Sequence, residues 1–117
     1  MPGFEKSPPE LIERFRVVLD RHPDAERRKM FGYPAAFSGG NMVTGLHGPN
    51  WVIRLAEPDL AEIQAIEGGG PFEPMAGHPM RGFALVPPAI VADDAAIDGW
   101  LRRAFAHVAQ MPAKRPK

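Results

Sequence analysis

The chain has 117 residues, no cysteine, and 14 basic residues (Lys plus Arg) balanced by 14 acidic ones. That is one domain's length, enough to bury a core without covalent staples. The composition excludes a disulfide framework, a thiolate nucleophile and any cysteine-based metal site, and zero net charge argues against a dedicated nucleic-acid binder, whose domain is ordinarily basic.

Met1 to Pro9 contains Glu5 and Lys6 and no apolar stretch, so it does not read as a secretory signal. Ser7-Pro8-Pro9-Glu10 reads as a helix start, with Ser7 as cap, Pro8 at the first helical position and Glu10 completing a capping box. Leu11, Phe15, Val18 and Leu19 then recur at helical spacing, and Pro23 ends this amphipathic helix near Arg21. Three strands with short turns follow and predict an antiparallel meander. Met30-Phe31-Gly32-Tyr33 leads into the first, Ala35-Ala36-Phe37. Met42 to Leu46 is the second. Trp51 to Leu55 is the third, with Trp51, Ile53 and Leu55 on one face and Val52 and Arg54 on the other.

Glu57-Pro58-Asp59 opens a second helix carrying Leu60, Ile63 and Ile66, and Gly68-Gly69-Gly70-Pro71 stops it. Phe72 to Met75 and Gly82 to Val86 read as two further short strands, joined by Gly77-His78-Pro79-Met80. Pro87-Pro88 ends the second of these. Asp93 or Asp94 then caps a third helix, whose Ile97, Trp100, Leu101, Ala104, Phe105 and Val108 form the strongest periodicity in the chain. Gly99 inside this helix predicts close packing of its backbone on the sheet, since a mid-helix glycine costs about 1 kcal/mol against alanine. Pro112 to Lys117 is a short basic tail expected to be disordered.

The expected architecture is a single α+β domain of two layers. An antiparallel sheet of about five strands is covered on one face, in the order α-β-β-β-α-β-β-α. No apolar run approaches a membrane span, and the expected location is the cytoplasm.

The residue inventory offers no catalytic set. Ser7 is read as a cap and Ser38 as a turn residue before Gly39-Gly40, and neither lies in a Gly-x-Ser-x-Gly context. His22, His47, His78 and His107 are scattered without metal-ligand spacing. Met75 and Met80 flank His78, a combination compatible with a soft metal but more simply read as apolar loop anchors. Gly68-Gly69-Gly70 follows a helix instead of opening one, so it is not a phosphate loop. No cofactor is expected. Arg27-Arg28-Lys29, Arg102-Arg103 and Lys114, Arg115 and Lys117 form basic clusters, read mainly as solvated surface charge.

Several stretches carry a resemblance: Arg28 to Phe37, Gly40-Asn41-Met42, Gly45-Leu46-His47, Pro74 to Phe83 and Val86-Pro87-Pro88. Together they resemble the TfoX/Sxy N-terminal domain family over about Leu11 to Pro112. The Met-Phe-Gly opening and the Pro-Met-Arg-Gly-Phe stretch are specific in combination. The resemblance implies an α+β fold of the secretion-chaperone-like kind and no established catalytic residues. The family is named for regulators of DNA-uptake competence that carry a second, C-terminal helical domain. This chain stops at Lys117 without it, so the competence role is not carried over.

The expectation is a non-catalytic regulatory or protein-interaction module, with a homodimer as a further possibility. Its contact surface is placed at Met30, Phe31, Gly32, Tyr33, Met75, His78, Met80, Arg81 and Phe83, where Met and aromatic residues stand beside Gly and Pro. The same residues could instead pack on each other as core. Two alternatives stand beside this reading. One is a nucleic-acid-associated regulator using Arg27, Arg28 and Lys29. The other is a small-molecule site around Tyr33, His47, His78 and Arg81, with Arg54 and Arg81 able to hold an anion.

Overall fold

The structure is a computed structural model that describes residues 6–30 and 32–113. Ten elements follow in chain order: α1 (Pro9–Leu19), β1 (Glu26–Met30), β2 (Tyr33–Ser38), β3 (Asn41–His47), β4 (Asn50–Arg54), α2 (Glu57–Gln64), β5 (Gly70–Pro71), β6 (Phe83–Leu85), α3 (Pro88–Val91) and α4 (Asp94–Ala109). The six strands form one sheet in the order β1-β2-β3-β4-β6-β5, with every neighbouring pair antiparallel. The α+β class and the meander are as the sequence predicts. No helix among the described residues is long and apolar enough to cross a membrane.

The helices lie on one face of the sheet. Trp51, Ile53, Ala36, Val43 and Ala84 of the strands, with Val86 just past β6, form one buried cluster with Phe15, Val18 and Leu19 of α1 and Ile97, Trp100, Leu101, Ala104 and Val108 of α4. The alternation read in β4 holds, since Trp51 and Ile53 join this core while Val52 faces away. Asp93 caps α4 by accepting the Ala96 N–H at 2.9 Å. Inside the core, the Trp51 indole N–H donates to Thr44 Oγ1 at 2.8 Å, and the Thr44 hydroxyl donates to the Val52 carbonyl at 2.6 Å.

Several expectations are corrected. The N-cap of α1 is Pro8, and its first residue is Pro9. The Ser7 hydroxyl donates instead to the Gly48 carbonyl at 2.7 Å, tying the start of the chain to the β3–β4 turn. An additional strand, β1, precedes the meander. Its Glu26-Arg27-Arg28-Lys29 run is exposed throughout and has no apolar alternation to reveal it. Charged side chains on an edge strand discourage pairing with other chains. Strand β5 lies at Gly70–Pro71 and not at Phe72 to Met75, and Pro88 opens the short α3. Gly99 does not approach the sheet: a Cβ there would meet only the Arg102 guanidinium, at 3.9 Å.

The other face of the sheet is not bare. Ala35, Phe37, Met42, Val52, Phe72 and Phe83 form a second, smaller buried cluster there, with Met30, Met80 and Leu85 packed against it. A bulge between Ala36 and Phe37 makes this possible. Simple alternation would set Met42, Thr44 and Leu46 on one face. The bulge instead sends Met42 to the second cluster while Val43 and Thr44 both serve the helical side. Gly45 makes room for the displaced side chain, because a Cβ there would stand 2.6 Å from Met42 Cε.

Candidate functional site

Between β5 and β6 the chain forms an arm, residues 72–82, that lies over the second face. The Met80 N–H donates to the Phe72 carbonyl at 2.8 Å and closes its base. The His78 N–H donates to the Met75 carbonyl at 2.8 Å and closes its tip, where Gly77 takes φ +80°. Phe72 at the base of the arm is buried, and Met75 at the tip is 65% exposed.

Under this arm lies an apolar hollow of about 290 Å³. Met30, Met42, Met75 and Met80 line it from three separate parts of the chain, and Val52 and Leu46 contribute to its lining. On one side stands an aromatic wall. The His47 ring packs between Tyr33, with centroids 5.2 Å apart, and Phe72, at 5.1 Å and nearly perpendicular. Beyond this wall a more polar cleft of about 590 Å³ continues past Asn50, Glu73 and Pro74. Unbranched methionine side chains adapt to irregular apolar shapes, and sulfur makes favourable contacts with aromatic edges. The hollow is therefore built to take an apolar group, with Tyr33 and His47 as its polar side chains.

The sequence-predicted residues divide among several places. Met30, Tyr33, Met75 and Met80 converge on the hollow, and His47 joins them. Gly32 sits in the β1–β2 turn with φ +84°. Phe31 lies outside the described residues, as do Lys114, Arg115 and Lys117 of the basic tail. Phe83 is core, 2% exposed, beneath the Arg54 guanidinium at 4.7 Å. His78 and Arg81 are exposed and do not line the hollow, so the pocket drawn around Tyr33, His47, His78 and Arg81 is not one site. Arg81 instead shares a different cleft with Arg54. Sequence reasoning missed Met42, Phe72 and Pro74. Alternation hides Met42, and the sequence pattern places Phe72 in a strand over Phe72 to Met75 where the chain instead forms the base of the arm.

The charged clusters are largely paired. Arg27 bonds Asp20 at 2.7 Å, and Arg28 bonds Glu26 at 3.1 Å while covering the Phe37 ring at 4.8 Å. Arg103 reaches Asp59 and Glu62 and lies 4.3 Å over the Trp100 ring. Arg21 and His22 both bond Asp98, at 2.9 and 3.0 Å. Burial pushes the Asp98 carboxyl up, but these hydrogen bonds outweigh it and hold the group below the usual carboxylate range. Among the described residues no three His, Asp or Glu side chains gather where they could hold a metal ion.

No curated protein and no solved structure matches the chain. A family model does: the TfoX N-terminal domain matches residues 18–108, from the last two residues of α1 to the penultimate residue of α4, and so includes the whole sheet, the arm and the hollow. On that match, which spans most of its length, the chain belongs to the TfoX N-terminal domain family.

Proposed function

We propose that this domain is a non-catalytic regulatory module of the cytoplasm that binds a protein partner through the methionine-lined hollow. One observation carries the reading: four methionines from β1, β3 and the arm meet over a cavity of about 290 Å³, and Met75 at its mouth is 65% exposed. A cavity of this size accepts one or two apolar anchor side chains of a partner, the arrangement that dominates binding energy at protein interfaces. The non-catalytic part of the reading is supported by how the hydroxyls are used. Those of Ser7 and Thr44 donate to backbone carbonyls. A protein partner is favoured over nucleic acid by the pairing of Arg27 and Arg28 on β1 with acidic side chains.

Affinity capture from native cytosol tests the proposal, comparing the natural chain with Met75→Glu. Met75 is mostly exposed, so the substitution leaves the fold intact while placing a charge at the mouth of the hollow. The natural chain is expected to retain a protein that the variant loses. Equal retention by both would contradict the proposed surface, and salt-sensitive retention of nucleic acid would favour the Arg27-Arg28-Lys29 alternative.

A further inference from the structure

A second site lies at the other end of β4, where an arginine has no anionic partner among the described residues. Two arginines among the described residues are half-buried. Arg14 has a carboxylate, with Asp94 at 2.7 Å. Arg54 forms no ion pair with any described residue. Its guanidinium lies over the Phe83 ring, and one N–H reaches Met111 Sδ at 3.4 Å, a weak acceptor. Burial pushes this guanidinium down from its ordinary value. A half-buried cation lacking an anion is costly unless something supplies the missing charge.

The surroundings supply more positive charge. Arg54, Arg81 and His107 line one cleft of about 420 Å³, with Glu57 as its only acid among the described residues and Leu55 and Leu60 as its apolar wall. Arg81 also forms no ion pair with a described residue, whereas Arg14, Arg16, Arg21, Arg27, Arg28 and Arg103 all do. The left-handed turn at Gly82, φ +81°, sets Arg81 just ahead of β6, where Phe83 pairs with Arg54. We infer that this cleft binds a small phosphate monoester, its phosphoryl group held by Arg54 and Arg81 and its organic part against Leu55 and Leu60. Planar guanidinium groups match phosphoryl oxygens bidentately, and a dianion offsets both arginines where a single carboxylate would not. The inference does not rest on the docking hollow, which lies under the arm and shares no lining residue with this cleft.

Titration of the full chain with phenyl phosphate, followed through its backbone amide resonances, tests it. Saturable shifts are expected at Glu57, Arg81, Gly82 and His107. Arg81→Gln, an exposed change that spares the fold, is expected to weaken binding about tenfold or more, the loss of one charge-assisted contact. Arg102→Gln, which removes an arginine outside the cleft, is expected to leave it unchanged. Non-saturable shifts, shifts at other sites, equal weakening by both variants, or equally tight binding of benzoate would each overturn the inference.

Discussion

At the scale of single residues, one hydroxyl supports much of the inner core. Thr44 accepts the Trp51 indole N–H and passes a hydrogen bond to the Val52 carbonyl, all within a fully buried setting. Thr44→Val keeps the shape and removes the acceptor, so the indole N–H loses its partner in a place water does not reach. A loss of about 1–3 kcal/mol in urea unfolding is expected, with Thr44→Ser recovering part of it. Two glycines give opposite expectations. Gly99 is helical and a Cβ there would make only an ordinary van der Waals contact with the Arg102 guanidinium, so Gly99→Ala should stabilise by about 0.5–1 kcal/mol. A Cβ on Gly69 would run into the Ile63 carbonyl oxygen, so Gly69→Ala should destabilise by about 1–3 kcal/mol. Thermal unfolding of the two variants side by side checks both signs. The sequence marks Gly99 as unusual but cannot say which neighbour is near it. That depends on which side of α4 faces the sheet at that turn.

At the scale of elements, the chain is legible where burial is one-sided and obscure where it is not. Helix α4 announces itself through Ile97, Trp100, Leu101, Ala104 and Val108, all buried, and through the Asp93 cap. Strand β4 does so through Trp51 and Ile53. Strand β1 does not, because its first four side chains are exposed and charged and only its ladder with β2 defines it. The arm is obscure for a different reason: its base and tip are fixed by backbone bonds between residues that the sequence reads as one continuous strand and a loop. The β2–β3 bulge changes the face of Met42, and no local residue pattern signals it. The methionine hollow was therefore legible only in part. Met30, Tyr33, Met75 and Met80 could be named as a group, but the cavity needs Met42 and Phe72 to close it.

The same scale carries a pH prediction. Arg21 and His22, just past α1, bond Asp98 of α4 and tie the two helices together. The folded carboxyl of Asp98 titrates below its ordinary value. A depressed folded value means that stability is fully present above the unfolded carboxylate range and is lost as pH falls through the folded one. Asp98→Asn should be less stable than the natural chain near pH 7, and the difference should shrink on acidification to about pH 3. Urea midpoints across that range check it, and a difference that stays constant with pH would mean that the tie does not act through the charge of Asp98.

At the scale of the whole molecule, the sheet separates two kinds of surface. One face is sealed by α1 and α4. The other is covered by a hairpin arm, over a hollow lined with adaptable side chains. Six of the nine described arginines form ion pairs, four of them across elements, consistent with a neutral chain whose charge serves its own surface. Among the described residues, the large exposed apolar side chains outside the arm are Ile12 and Val17 on α1 and Ile66 after α2. They give the proposal a direct competitor. Site-specific photocrosslinking in native cytosol distinguishes them, with a benzophenone side chain placed at position 75 in one protein and at position 12 in another. The account predicts a discrete protein adduct from position 75 and none from position 12. An adduct formed from position 12 and not from position 75 would contradict it.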